Sequence, residues 1–160
     1  MSQVQRDPVL VEEAREDDRD AILAVLETAN MHHVPSEEMP ELDLGTFFVV
    51  RMGGRVVGCA GYKLIGEGEA KTTLMAVDPA FRGYGIGLAL QARRMGVLAE
   101  LGVRRLVTNS DIPATIAWYE KHFAYRRVGS LRKVHEFGRP DIDTWTTLET
   151  DPVAWKEARR

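Results

Sequence analysis

Three glycines alternate with other residues where a β-rich segment meets a long helical segment. The run Arg82–Gly87 reads RGYGIG, and it follows the strand-ending pair Asp78-Pro79. Glycine adopts positive φ without steric cost and lets a ligand come close to the backbone. The N–H groups at a helix start converge on one point, where the helix dipole adds positive potential. The run therefore predicts both a strand-to-helix turn and an anion site.

The rest of the chain is organised around this turn as short β-rich runs and amphipathic helical runs. A Gly53-Gly54 step between two β-rich runs indicates a tight hairpin. Alternating or β-branched segments predict strands near Val9–Val11, Thr46–Met52, Arg55–Leu64, Glu69–Val77, Leu106–Thr108, Tyr125–Val134 and Thr144–Leu148.

Helical spacing of apolar residues predicts three helices, over about 17–29, 86–101 and 111–123. Asp17 and Asp111 are the predicted N-caps of the first and third. A short helix could also lie between Pro35 and Pro40. In the second helix the predicted buried stripe is Ile86, Ala89, Leu90, Val97, Leu98 and Leu101. This order predicts a mixed α/β (α+β) sandwich, with helices packed on a largely antiparallel sheet of about seven strands in a single domain, 1–160.

Composition excludes several classes of function. The formal net charge of −3 disfavours a nucleic-acid partner, which would need clustered excess Lys and Arg. Cys59 is the only cysteine, so no internal disulfide forms and we expect a reducing, cytoplasmic compartment. Because Met1–Asp7 is polar and no run approaches about 18 apolar residues, we expect neither a signal region nor a membrane span.

Two common phosphate-binding patterns fail at the glycine run. A P-loop needs Lys and then Ser or Thr after its last glycine, whereas Gly87 is followed by Leu88 and Ala89. The dinucleotide pattern G-x-G-x-x-G would need glycine where Leu88 or Leu90 stands. It also needs an acidic residue about 20 residues further on, where this sequence is basic. Neither an ordinary P-loop nor a dinucleotide fold is therefore expected.

At these residues the sequence resembles the GNAT N-acetyltransferase superfamily. The acyl-CoA signature of that family is Arg or Gln, two residues, Gly, one residue, then Gly or Ala. Arg82, Gly85 and Gly87 fill it. The predicted order of strands and helices also matches the family, so the resemblance extends over most of the chain. It implies an enzyme that moves an acetyl group from acetyl-CoA, its co-substrate, to a primary amine of a small molecule, amino acid, amino sugar or peptide.

The resemblance also implies how the co-substrate is held. The strand before the turn should separate from its neighbour at a bulge, which frees backbone groups for strand addition by the pantetheine amides. The implied pantetheine contacts are Met75, Ala76 and Val77. The pyrophosphate would be bound by N–H groups of Arg82, Gly83, Tyr84, Gly85, Ile86 and Gly87.

The acid and the base are the catalytic roles to assign. In the GNAT family a tyrosine on the helix after the fifth strand often protonates the leaving thiolate, and Tyr119 matches it. Its position on the apolar helix face fits a packed core tyrosine equally well. The sequence departs from the family at Ala124, where Gly is usual, and at Asp111, where Asn is usual. Glu69 is the candidate base; its rivals are Glu67, His32, His33 and His135.

The acceptor site is expected between Met31–Gly45, the loop Glu136–Asp143 and Trp145. Acidic Glu37, Glu38, Glu41 and Asp43 would suit a cationic amine, and a solvated acidic loop explains them equally well. No metal is expected, because the paired histidines have no further ligands at a fitting spacing. A homodimer is expected only because dimers are common in the family. The second hypothesis is a non-catalytic acyl-CoA-binding sensor or partner-binding module, motivated by the irregular segment Tyr119–Tyr125.

Overall fold

A computed structural model describes residues 9–28, 43–133 and 141–159. Several predictions lie outside these residues. They are the short helix between the two prolines, the roles of His32, His33 and His135, and most of the acceptor-site loops. The described residues carry the sheet, the helices and the glycine-rich turn, which together position the candidate site.

The sheet has seven strands in the described residues, in the spatial order β1-β2-β3-β4-β5-β7-β6. Every neighbouring pair is antiparallel except β4 and β5, which are parallel. The prediction of a largely antiparallel sheet of about seven strands is confirmed. The strands are β1 Val11–Glu13, β2 Phe47–Met52, β3 Arg55–Gly66, β4 Glu69–Val77, β5 Arg105–Ser110, β6 Arg126–Arg132 and β7 Thr144–Thr150.

The predicted hairpin between β2 and β3 turns at Gly53 and Gly54. Both glycines have positive φ, +60° and +76°, which a side chain would strain. Met52 pairs with Arg55 across the turn. A two-residue loop with two positive φ values matches the right-handed twist of the strands that it joins.

Four α-helices lie among the described residues: α1 Arg19–Thr28, α2 Ile86–Glu100, α3 Pro113–Phe123 and α4 Pro152–Ala158. The alternation along β2 shows how they are layered. Phe47 and Val49 pack with the buried face of α1, whereas Phe48 and Val50 belong to the core that includes α2 and α3. Successive side chains of a strand point to opposite faces of the sheet. The sheet is therefore covered by α1 on one face and by α2 and α3 on the other.

The start of α1 differs from the prediction that Asp17 is its N-cap. A 3₁₀ turn, Glu16–Asp18, precedes the helix, and the Asp18 carboxylate accepts the N–H of Arg15 at 2.8 Å. Arg51 on β2 donates two hydrogen bonds of 2.7 Å to the same carboxylate. These bonds from Arg51 lower the pKa of Asp18 to about 2. Asp18 therefore ties the beginning of α1 to the sheet, and Asp17 is exposed.

The predicted N-cap of α3 is also wrong. Ile112 occupies the N-cap position and its side chain makes no capping hydrogen bond, whereas Pro113 stands in the first turn as expected. Asp111 instead forms an ion pair with Lys133 of 2.8 Å in which both side chains are buried. Asp111 does not cap the helix, because its carboxylate pairs with a lysine 22 residues away. The local sequence around Asp111 could not predict this contact.

The sequence analysis did not predict α4, and one residue of the predicted buried stripe of α2 is exposed. Asp151 caps α4 by accepting the N–H of Ala154 at 3.0 Å, with Pro152 in the first turn. That Asp-Pro start was the available signal. In α2, Leu101 is 53% exposed, contrary to its place in the predicted stripe. The fully buried residues of this helix instead include two polar ones, Gln91 and Arg94.

Candidate active site

The two ends of β4 have different neighbours. Along its length β4 pairs with β3, but it pairs with β5 only over Glu69–Lys71. The hydroxyls of Thr72 and Thr108 form a hydrogen bond just beyond this ladder. From there to Val77 no pairing joins β4 to β5. The strand separation expected before the glycine-rich turn is present.

A bulge in β4 accompanies this separation. Ala60 pairs with Met75 and Tyr62 with Thr72, so Thr73 and Leu74 together face Gly61 alone. A Cβ at Gly61 would collide with the Phe47 ring and with the Thr73 hydroxyl. Glycine at this position therefore allows the close approach that the bulge requires.

Backbone alternation fixes which groups face the open edge of β4. The N–H of Asp78 donates to the Val57 carbonyl at 2.8 Å and so points toward β3. In an antiparallel pair, hydrogen-bonded and non-hydrogen-bonded positions alternate along each strand. The N–H and C=O of Ala76 accordingly point toward β3 as well. Those of Met75 and Val77 point to the opposite edge, where β4 is no longer paired with β5. Of the three predicted pantetheine contacts, Met75 and Val77 therefore have backbone groups on the open edge, whereas the backbone groups of Ala76 face β3.

The turn after β4 is held in shape by the buried Asp78. Its carboxylate accepts the N–H of Ala80 at 2.9 Å and so caps a 3₁₀ turn, Pro79–Phe81. Arg55 donates to the other carboxylate oxygen at 2.6 Å and lies over the Phe81 ring. The Asp-Pro pair therefore ends the strand and anchors the glycine-rich run.

The glycine-rich run has the conformation that glycine was predicted to permit. Gly83 and Gly85 have φ of +87° and +78°, and Gly85 is the N-cap of α2. Apart from the glycine and its two chain neighbours, no atom of the described residues lies within 4 Å of a Cβ built on either. Gly85 has no side chain to cap the helix, so among the described residues the first-turn N–H groups have no intrahelical or capping acceptor. Arg82 and Tyr84 are exposed on the same turn.

A buried arginine on α2 lies behind the β4 bulge, and sequence reasoning did not find it. The Arg94 side chain donates to the Gly61 carbonyl at 2.9 Å and to the Leu74 carbonyl at 3.4 Å. It also bonds Gln91 through two of its nitrogens. The signal was a basic residue four positions from both Leu90 and Leu98, in the middle of the apolar stripe.

Tyr119 on α3 lies next to this arginine. Arg94 Nη2 donates to the Tyr119 hydroxyl oxygen at 3.4 Å and lies 3.8 Å from Met75 Sδ. Tyr119 is 5% exposed, and its ring packs 4.9 Å from that of Tyr125. The structure therefore brings Tyr119 to the bulged, open end of β4. It also packs Tyr119 in the core, as the competing interpretation expected.

The segment after Tyr119 closes α3 without the usual glycine. Ala124 adopts a left-handed conformation, φ +55°, and its N–H bonds to the Tyr119 carbonyl. The following Tyr125 accepts a hydrogen bond from Gln91 at 3.1 Å, and burial raises its pKa. Both tyrosines are thus linked to α2 by one buried polar network.

Glu69, the candidate base, lies at the other end of β4. It pairs with Arg105 in the parallel ladder, and their side chains form an ion pair of 3.6 Å. Six residues of extended strand separate it from Met75, which corresponds to about 20 Å. The structure does not bring Glu69 together with Tyr119, and its role as base stays a prediction.

Of the expected acceptor-site residues, Trp145 is described. It lies on β7, half-buried, with the Lys133 ammonium 4.6 Å from its ring centroid. Burial raises the pKa of the Cys59 thiol to about 12, so this thiol stays protonated at neutral pH. Within the ranges that the structure covers, no three His, Cys, Asp or Glu side chains are arranged to hold a metal ion. Nor does any helix there have the length and hydrophobicity to cross a membrane.

A family model for the acetyltransferase (GNAT) domain matches residues 43–122, half of the 160-residue chain. The chain belongs to the GNAT acetyltransferase family. The matched segment runs from β2 to α3 and so includes the bulged strand, the glycine-rich turn and Tyr119. The resemblance noted from the sequence is confirmed, and the protein is an acyltransferase of the GNAT type.

Solved structures share the fold. Ard1 from Thermoplasma volcanium is 20% identical with a TM-score of 0.74, covering 89% of this chain and 97% of that one. A ribosomal-protein-alanine N-acetyltransferase from Brucella melitensis is 23% identical with a TM-score of 0.69, covering 89% and 99%. N-acetylglutamate synthase from Neisseria gonorrhoeae, complexed with coenzyme A and N-acetyl-glutamate, is 20% identical with a TM-score of 0.70, covering 92% and 36%. No curated protein matches the sequence.

Proposed function

We propose that this GNAT protein transfers an acetyl group from acetyl-CoA to a primary amine of a small molecule, amino acid, amino sugar or peptide. The observation that carries the proposal is the opening of β4 directly before an uncapped, glycine-rich helix start. An open strand edge suits a ligand with amide groups, and an uncapped helix start suits an anion. Pantetheine and pyrophosphate, joined in one molecule, have these two chemistries in that order.

The described residues fit acetyl-CoA in three respects. Met75 and Val77 offer backbone donors and acceptors on the open edge, and Ala76 between them keeps the strand paired to β3. Gly83 and Gly85 leave open space where side chains would stand. The N–H groups of Arg82–Gly87 are the proposed pyrophosphate ligands, although that of Arg82 already donates to the Pro79 carbonyl at 3.4 Å. Charge-assisted hydrogen bonds of this kind contribute about 1.5–3 kcal/mol each.

Tyr119 is the proposed general acid. Arg94 donates to its oxygen, and among the described residues no acceptor takes the hydroxyl proton of Tyr119. That proton is available for the thiolate that leaves when the C–S bond of the thioester breaks. A backbone N–H on the open edge of β4 is the proposed donor to the thioester carbonyl as negative charge develops there.

The amine must lose a proton before or during attack, because an amine of pKa about 10 is mostly protonated at neutral pH. Glu69 stays the base that the sequence predicts. Because it pairs with Arg105 about 20 Å along β4 from Met75, we propose that water relays the amine proton to solvent. The cytoplasmic location and the homodimer also remain proposals. The cytoplasmic location rests on the single cysteine, and the homodimer rests only on the frequency of dimers in the family.

The test is acceptor-dependent thiol release from acetyl-CoA across a panel of amino acids, amino sugars, polyamines and peptides with free N-termini. We expect at least one class to stimulate release, with the product heavier by one acetyl group in mass spectrometry. Calorimetry with CoA alone is measured in parallel. CoA binding without stimulated release by any amine would favour the non-catalytic sensor, and the absence of both would overturn the proposal.

A further inference from the structure

Arg94 is a fully buried guanidinium without a carboxylate partner among the described residues. All its hydrogen-bond acceptors there are neutral: the side chains of Gln91, Tyr119 and Met75 and the carbonyls of Gly61 and Leu74. The titratable groups that interact with it are also neutral at pH 7, since Cys59 and Tyr125 are both buried and their pKa values are raised. Burying a charge without a counter-charge is strongly unfavourable, and proteins tolerate it chiefly where it serves a function.

One guanidinium joins the two parts of the candidate active site. Nη1 bonds the carbonyls of Gly61 and Leu74, which face each other at the β4 bulge. Nη2 bonds the Tyr119 hydroxyl oxygen and reaches Met75 Sδ. Gln91 fixes the guanidinium from the same helix and donates to Tyr125. The arrangement holds the Tyr119 oxygen at a set position relative to the open strand edge.

We infer that Arg94 is a positioning residue that also serves as the counter-charge for Tyr119 during proton transfer. The inference rests on the proposed function, in which Tyr119 is the acid. The amine nitrogen forms a bond to the thioester carbon, the C–S bond breaks, and its electron pair goes to sulfur. Sulfur takes the Tyr119 proton, which leaves a phenolate next to Arg94. The nitrogen releases one proton to solvent, and solvent returns one proton to Tyr119.

Because no carboxylate of the described residues bonds Arg94, its charge can act on Tyr119. A carboxylate bonded to Arg94 would neutralise its field, whereas neutral acceptors hold the group without cancelling its charge. In a dry interior a preorganised charge next to a developing anion is worth more than the same charge in water. The positive charge therefore has its largest effect in the state in which Tyr119 has given up its proton.

The test is a double-mutant cycle with Arg94→Met and Tyr119→Phe, in the acceptor-dependent assay. Arg94→Met removes the charge at similar volume. We expect it to lower kcat by about 10–100-fold, while KM for acetyl-CoA changes by less than about 3-fold. In the Tyr119→Phe background, Arg94→Met should lower kcat by less than about 3-fold further, because the group through which it acts is gone.

Two further variants separate charge from packing. Arg94→Lys keeps the charge and should retain more of kcat than Arg94→Met. Arg93→Met makes the same chemical change one residue earlier, on the exposed side of α2, and should leave kcat unchanged. Thermal unfolding and CoA affinity are measured for every variant. If Arg94→Met does not fold, the same cycle is run with Arg94→Lys, which should lower kcat in the wild-type background only.

Three outcomes would overturn the inference. The first is an equal loss of kcat from the arginine substitution with and without Tyr119, which is the result of a structural role. The second is a raised KM with unchanged kcat. The third is an unchanged kcat in Tyr119→Phe. This result would show that Tyr119 is not the acid, while the proposal of a transferase would stand. The proposed function itself fails separately, if the unmodified protein releases no thiol with any amine.

Discussion

The start and the end of β4 are one strand with two different surroundings. Glu69–Lys71 is flanked by β3 and β5, and an ion pair with Arg105 lies beside it. Within the described part of the chain, Met75–Val77 is flanked by β3 and by no second strand. The buried Arg94 lies behind it and the glycine-rich turn just beyond. At the start, the protein satisfies the backbone of β4 on both edges. At the end, one edge has no strand partner among the described residues.

The difference shows that a strand edge without a pairing strand is available as a binding surface. Backbone N–H and C=O groups left without partners in a protein interior are costly. Such an edge persists because water or a ligand pairs it. The bulge opposite Gly61, the caps at Asp78 and the bonds from Arg94 all stabilise the strand without using that edge. Four predictions test this division between a scaffold end and a binding end.

The largest effect is expected from Gly85→Glu, which puts bulk and negative charge where the pyrophosphate is proposed to bind. CoA affinity should fall at least about 100-fold in calorimetry, since several charge-assisted hydrogen bonds are lost. Gly54→Glu is the matched control, because Gly54 has nearly the same φ, +76° against +78°, and the same open surroundings. It should strain the backbone equally and leave CoA affinity unchanged. Equal losses in both variants would mean that the helix start is not the phosphate site.

Proline substitutions at neighbouring residues separate the two edges of β4. Ala76→Pro removes an N–H on the β3 edge and should lower the free energy of unfolding by about 1–3 kcal/mol, because a buried carbonyl of β3 loses its donor. Val77→Pro removes an N–H on the open edge and should mainly weaken CoA binding, by about 3–10-fold for one hydrogen bond. Chemical denaturation and calorimetry measure the two quantities. If Val77→Pro unfolds the protein and spares binding, the open edge has been assigned to the wrong residues.

Asp18→Asn tests the scaffold far from the open edge. The pKa of Asp18 is lowered to about 2 by Arg51, so its carboxylate stabilises the fold at pH values above its usual pKa of 3.8. That stabilisation is about 2 kcal/mol and is lost as pH falls through about 2. In urea denaturation at pH 7 the variant should be less stable by roughly this amount, and the gap should close in acid. CoA affinity should not change; a change would couple this region to the site.

The smallest effect is expected from Glu69→Gln. Its carboxylate pairs with Arg105 about 20 Å along the strand from the open edge. We expect kcat to change by less than about 3-fold. A fall of about 100-fold, with the CoA affinity intact, would instead confirm the base role that the sequence predicted and would show that both ends of β4 take part in catalysis. The pH profile of kcat distinguishes a lost base from a lost contact.

Much of the fold could be predicted because its signals are local. The glycine pair at 53–54, the Asp-Pro stop after β4 and the apolar spacing of α2 each specify their element within a few residues, and the structure confirms them. The errors occurred where distant residues compete for a group. Asp111 could cap α3, but Lys133 takes its carboxylate. Asp18, not Asp17, became the anchor of α1 because Arg51 stands opposite.

The candidate site divides in the same way. The glycine-rich run is contiguous, so its sequence alone indicated a turn that binds an anion and led to the correct family. Tyr119 was predicted from its position in that family. The sequence could not show how close it lies to the edge of β4, because the two elements meet only in the folded protein. Arg94 was overlooked because an arginine in an apolar stripe has no meaning until its acceptors are known, and these come from β3, β4 and α3.

By itself the sequence determined the class of fold and the strand-to-helix turn, because backbone preferences and periodicity act over short distances. The family followed from the resemblance of the Arg82–Gly87 run to a known signature. Only the tertiary structure decided which edge of β4 stays open, where Glu69 lies relative to Tyr119, and that a buried positive charge stands beside the proposed acid. The physical reason is that strand pairing, burial and hydrogen-bond partners depend on residues far apart in the chain. Their effects arise only when the sheet has formed.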